Sequence, residues 1–170
     1  LGGYETTTGK VNYGLLYRGG KLNGTTSGEA ITEEGKSEML DSLKIKTEID
    51  LRSTGDDGGQ TENAIGGSVN YIKIPLGQYA NILDYETWSS LDKSEKSGNF
   101  DANNKNAIKQ IFELLADKNN YPIYFHCNAG ADRTGTLALL INGLLGVDEQ
   151  SLIKDYELTT ISRYGKRLRS

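Results

Sequence analysis

The stretch HCNAGADRTG, residues 126–135, holds the only histidine and the only cysteine of a 170-residue chain. His126 and Cys127 are adjacent, five residues separate Cys127 from Arg133, and Thr134 and Gly135 follow. A cysteine thiolate is a strong nucleophile, and an arginine guanidinium is a planar fork that binds two oxygens of one anion. A nucleophile and an anion clamp at short, fixed spacing point to chemistry on an anionic ester. The alternative makes Cys127 a core residue, His126 a satisfied strand residue and the glycines turn punctuation. That alternative treats the spacing as coincidence.

The flanking sequence supplies the elements that would position these groups. YPIYF at 121–125 reads as a short buried strand, and an apolar helix follows from about residue 130 to 145, with Gly146 suited to its stop. In open α/β sheets ligands bind at the carboxyl ends of strands. A helix N-terminus adds unpaired N–H donors and partial positive charge. Asn128, Ala129, Gly130, Ala131 and Asp132 are mostly small, which lets successive N–H groups turn inward on one anion. Arg133 closes the ring, and the expected occupant is a tetrahedral dianion such as phosphate or sulfate. The helix end and the arginine favour thiolate over thiol at Cys127, and Thr134 can donate a hydrogen bond to the sulfur. His126 falls on the opposite face of the strand, where it braces the loop backbone rather than acting as a base.

Upstream, 11–17 reads as a strand, 32–43 as a short helix with Thr32 as N-cap, and 45–51 and 69–74 as strands. Residues 103–118 give the clearest amphipathic helix, and a last one runs from about 149 to 159 behind Asp148 as N-cap. Residues 78–98 mix Tyr79, Tyr85 and Trp88 with charges and suit a binding loop or lid. Strands and helices alternate, so the expected fold is a single α/β domain. Its central, mostly parallel sheet is flanked by helices, with the phosphate loop between a strand and a helix.

Composition narrows the function further. Apolar residues make up 36% and charged residues 25%; 19 Lys+Arg against 23 Asp+Glu give a net charge of −4. A basic stripe for nucleic acid is lacking, and so is an apolar run long enough to span a bilayer. One cysteine cannot form an internal disulfide. The chain starts at Leu1 rather than Met, so cytoplasmic location is a default expectation only.

His126-Cys127, five residues, then Arg133-Thr134-Gly135 resembles the signature loop of cysteine-dependent protein tyrosine phosphatases and their dual-specificity relatives. LGGY at 1–4, GLLYRGGKLN at 14–23, TEEGKSEMLDSLKIKTEIDLRS at 32–53, YIKIPL at 71–76 and KDYELT at 154–159 resemble the bacterial and fungal tyrosine/serine phosphatase branch. The resemblance implies one phosphatase domain over 1–170. That branch usually opens with Arg-Asp-Leu-Gly-Gly, so a few residues before Leu1 are expected to be missing. It also implies a hydrolase that needs neither metal nor other cofactor and works through a phosphocysteine intermediate. The general acid departs from the common Trp-Pro-Asp pattern, because Ile74-Pro75-Leu76 puts leucine where the carboxylate belongs. Asp132 ranks first as its replacement and Asp84 second. Arg52, at a strand end, braces the site or binds ligand, with a surface salt bridge as an equal alternative.

The expected substrate is phosphotyrosine of a protein, with phosphoserine or phosphothreonine and small phosphomonoesters also possible. A phosphoinositide or inositol phosphate is the alternative; relatives that prefer these often carry lysine where this loop has Ala131. A second alternative is a phosphate-binding module with weak turnover.

Overall fold

The computed structural model describes residues 1–24, 30–76 and 102–158. Four parallel strands form the central sheet in the order β3-β6-β4-β5: β3 (Leu16–Gly19), β4 (Thr47–Asp50), β5 (Asn70–Lys73) and β6 (Ile123–His126). A small antiparallel hairpin of β1 (Glu5–Thr6) and β2 (Gly9–Lys10) precedes them. The helices are α1 (Glu33–Ser37), α2 (Ala102–Ala116), α3 (Arg133–Leu144) and α4 (Glu149–Glu157).

Period-two alternation along the two central strands builds two different layers. Ile49 and Leu51 of β4 and its exit join Ile123, Phe125 and Cys127 on one face, packed against Ile111 of α2 and Leu137, Ala138 and Ile141 of α3. The other face carries Glu48, Asp50, Arg52, Tyr124 and His126, all buried. There Tyr124 joins Ile45, Ile65 and Val69, against Met39, Leu40 and Leu43 at the end of the first helical segment. Register fixes the partners: Ile49 lies beside Phe125 and Asp50 beside His126. The two central strands therefore have an oily side and a charged side, both closed to water.

Helix ends follow local chemistry. The Thr32 hydroxyl accepts from Gly35 N–H and the Asp148 carboxylate from Ser151 N–H, as N-caps do. Gly146, at φ +81°, donates to Gly143 O while Val147 donates to Asn142 O, a Schellman stop for α3.

Three expectations need correction. The first strand occupies Leu16–Gly19 rather than 11–17, because its hydrogen-bonding partner is Ile123–His126 and Gly9–Lys10 already pairs with Glu5–Thr6. The helix expected over 32–43 is α-helical only to Ser37 and continues as a wider π turn, Glu38–Ser42. The helix expected from about 130 begins at Arg133, since 128–132 is spent on the loop. The lid expected over 78–98, with Tyr79, Tyr85 and Trp88, lies outside the described residues. Among the described residues no helix is long and apolar enough to cross a membrane.

Ile49 is fully enclosed in the oily layer. Ile49→Ala is expected to cost about 2–5 kcal/mol of folding stability, read from urea denaturation.

Candidate active site

The loop 127–133 joins the C-terminal end of the central strand β6 to the first turn of α3. Its shape depends on glycine at two contacts. Gly130 sits at φ +75°, and a Cβ there would lie 2.6 Å from the carbonyl carbon and oxygen of Gly19 and 2.9 Å from Gly20 N. Only a residue without a side chain allows that approach. Gly20 in turn passes Asn128 O at a distance that leaves little room for a side chain, and Lys21 N–H donates to the same carbonyl at 3.0 Å. The Gly-Gly exit of β3 thus supports the loop from beside. Among the described residues no carbonyl accepts from the N–H groups of Asn128, Ala129, Gly130 or Ala131. A run of backbone donors without backbone acceptors, at a helix N-terminus, is suited to an anion.

Cys127 directly follows the strand, 2% exposed and on the oily face. His126 is on the charged face, completely buried. Its Nδ1 lies 3.1 Å from Cys127 O and its Nε2 3.0 Å from Glu48 Oε1. Arg52 is 1% exposed, so a surface salt bridge is ruled out. Its Nε and one terminal nitrogen donate to the two oxygens of Asp50 at 2.9 and 2.8 Å, with further donation to Gln60 Oε1 and Asn23 Oδ1. Burial raises the Asp50 carboxyl, but Arg52, the charge of His126 and the Tyr71 hydroxyl outweigh it and hold the group below the usual carboxylate range. Burial, then the negative charges of Glu48 and Cys127, pushes the Tyr124 hydroxyl up.

The Arg133 guanidinium meets a carboxylate that the sequence reading did not single out. Asp56 Oδ2 is 2.7 Å from Arg133 Nη1, and the same nitrogen lies 3.4 Å from Leu51 O. Asp56 comes from the turn-rich loop after β4, and its Oδ1 is buried without a hydrogen-bond partner. Asp132 is exposed, immediately before α3, and its side chain makes no capping hydrogen bond. Thr134 is buried and its hydroxyl has no hydrogen-bond partner, the Cys127 sulfur included. Asp84 lies outside the described residues. Among the described residues no three His, Cys, Asp or Glu side chains are grouped to hold a metal ion.

The sequence pattern of the tyrosine phosphatase family matches residues 1–169. The chain belongs to that family. OCA1 of Meyerozyma guilliermondii is 36% identical over 134 residues, covering 76% of this chain and 64% of that protein. The tyrosine-protein phosphatase of Nostoc commune is 28% identical over 126 residues, covering 72% of this chain and 42% of that protein. The chain therefore spans less than two thirds of the length of these relatives. Among solved structures, the core catalytic domain of the PP-IP phosphatase SIW14 from S. cerevisiae, in complex with citrate, is similar. Its TM-score is 0.54 at 15% identity, over 87% of this chain and 72% of that one, a likeness of fold.

For this tyrosine phosphatase family member the structure places Cys127 and Asp132 on the loop and Arg133 and Thr134 in the first turn of α3, with His126 and Arg52 buried on the charged face of the sheet. Asp56, Glu48, Asp50 and Gln60 are the site neighbours that sequence reasoning missed. A signal for three of the buried charges was present: Glu48, Asp50 and Arg52 alternate along a strand too apolar on its other side to be an edge.

The lowered Asp50 carboxyl ties stability to pH. A carboxyl depressed in the folded state stabilises above the unfolded value of about 3.9, and that contribution disappears as pH falls through the folded value. Asp50→Asn leaves Arg52 without its counter-charge, at a cost of about 3–5 kcal/mol at neutral pH. Urea denaturation should show the gap to wild type narrowing below about pH 4.

Proposed function

We propose that this domain, taken as one unit over 1–170, hydrolyses phosphomonoesters through a phosphocysteine intermediate. Phosphotyrosine of proteins is the leading substrate, and phosphoserine or phosphothreonine the next. The observation that carries the reading is the loop itself. Between Cys127 and Arg133, the N–H groups of Asn128 to Ala131 are engaged by no carbonyl of the described residues, at the junction of a buried strand and a helix.

In this mechanism the substrate phosphoryl group occupies the loop, its non-bridging oxygens held by the amides of 128–133 and by the Arg133 fork. The Cys127 sulfur attacks phosphorus in line, an S–P bond forms, and the P–O bond to the leaving group breaks. Asp132 supplies the proton that the departing oxygen takes up; it adjoins Arg133 in sequence and is exposed, which supports this role. Water then attacks phosphorus, the S–P bond breaks, and phosphate leaves with the thiolate restored. The partnerless Thr134 hydroxyl, buried in the first turn of α3, is the donor assigned to that thiolate. Arg133 has to share or exchange its contact with Asp56 when phosphate arrives.

An inositol-phosphate substrate is the second reading, favoured by the fold shared with SIW14, described as a PP-IP phosphatase. Against it, the loop contains no lysine to meet additional phosphates, and the net charge is −4. Weak turnover on a retained phosphate cradle is the third.

The purified protein is expected to hydrolyse an aryl phosphate without added metal. Cys127→Ser should lower turnover by more than about a thousandfold while inorganic phosphate still binds. Equal activity in Cys127→Ser would remove the covalent route, and a panel of phosphotyrosine peptides, phosphoserine peptides and inositol phosphates ranks the substrates. For the proton donor, Asp132→Asn should slow a poor alkyl leaving group by roughly a hundredfold or more and a good aryl one far less. If Asp84→Asn shows that contrast instead, the acid lies on residues 77–101.

A further inference from the structure

Two arginines of this domain are held by aspartates in different ways. Asp50 takes Nε and Nη2 of Arg52 side-on, at 2.9 and 2.8 Å, which occupies the fork that could grip another anion. Asp56 meets Arg133 at Nη1 alone, at 2.7 Å, and Leu51 O lies 3.4 Å from that same nitrogen. Among the described residues nothing engages Nε or Nη2 of Arg133. A carboxylate in this place steadies the guanidinium from one end and leaves the side-on pair of donors to an incoming anion.

Asp56 does not hold this place by its own bonds. Its Oδ1 is buried without a hydrogen-bond partner while the side chain is 34% exposed, so an outward swing would give that oxygen water. The next residue keeps the turn closed. Asp57 is 3% exposed, and its Oδ1 accepts from Gly55 N–H at 3.4 Å and Gly59 N–H at 3.0 Å, on either side of Asp56. Its backbone carbonyl accepts from Asn23 Nδ2 at 2.9 Å. Its Oδ2 pairs with Lys73, the last residue of β5, which supplies the counter-charge that a buried carboxylate requires.

We propose that Lys73 and Asp57 are remote positioning residues for the phosphate-binding arginine: they lock the 53–60 turn, and through it Asp56 presents Nε and Nη2 of Arg133 to two oxygens of one phosphoryl group. Asp56 then shares Arg133 with the phosphate and keeps its own contact at Nη1. Lys73 acts only through the turn, since its ammonium is committed to Asp57. This role rests on the phosphatase reading above, because it assumes that the anion held by Arg133 is the phosphoryl group of a substrate.

Two readouts test this: turnover of an aryl phosphate, and calorimetric binding of inorganic phosphate in a Cys127→Ser background. Lys73→Met, checked for fold by circular dichroism and a cooperative thermal transition, should raise KM and weaken phosphate binding, each by roughly tenfold, at one site per molecule. Mere loss of folded protein would lower kcat and the number of sites and leave both constants unchanged. Lys73→Arg, which keeps the counter-charge, should restore both. Asp56→Asn should weaken phosphate binding to a similar degree, and adding Lys73→Met to it should change nothing further, because the lysine acts through Asp56. Unchanged constants in a folded Lys73→Met protein overturn the proposal, as does an equal loss from Lys73→Met with and without Asp56→Asn. Should Lys73→Met fail to fold, Asp56→Asn decides, and phosphate binding as tight as before overturns the proposal. A wild-type protein that neither turns over the aryl phosphate nor binds phosphate removes the phosphatase reading and this role with it. An active wild type beside variants of unaltered affinity removes the positioning role alone.

Discussion

Everything at the mouth of this sheet depends on charges that two strands have taken out of water. Glu48, Asp50 and Arg52 leave β4 side by side with His126 on β6, and none of them reaches solvent. Such a group is stable only when each charge meets a partner and each lone pair a donor. The requirement is met through Gln60, Asn23, Tyr71 and the Ala64 amide, which draw the 53–66 loop and the exit of β3 onto the same face. The polar side therefore orders the irregular segments around the 127–133 loop, together with the first helical segment, while the oily side orders α2 and α3. His126 is where the two tasks meet: its ring belongs to the charged layer and its backbone leads into Cys127.

Asp56 shows how far this ordering extends. Its carboxylate contacts Arg133 across the site, and the neighbouring Asp57 pairs with Lys73 of β5 while its backbone carbonyl accepts from Asn23. A loop with no helix or strand of its own is thus attached at both ends of the sheet. In the proposed reaction, an Arg133 already held by Asp56 and Leu51 O would lose less entropy on binding an anion.

Much of this was readable in the sequence. The strand–loop–helix context of 126–135 placed Cys127 and Arg133, because small residues after a short apolar run have few other uses. The long apolar face of 103–118 and the Asp148 cap were legible for the same local reasons. The first strand was not, since its boundaries are set by a partner more than a hundred residues away. Asp56 was not, because GDDGG reads as solvated turn chemistry and only the fold brings it to Arg133. Glu48 was overlooked differently: it alternates with Asp50 and Arg52, but charges on one side of a short strand are ordinarily at the surface, and here all three are buried.

The interlocking of the charged layer also limits how such a chain can drift. Losing one member leaves its partner ionised with nothing to face, whereas exchanging several together for hydrocarbon would be nearly neutral in energy. Single-step paths away from Glu48, Asp50, Arg52 or His126 therefore descend through poorly folded intermediates. Descendants of this sequence should retain the four as a block or abandon them as a block.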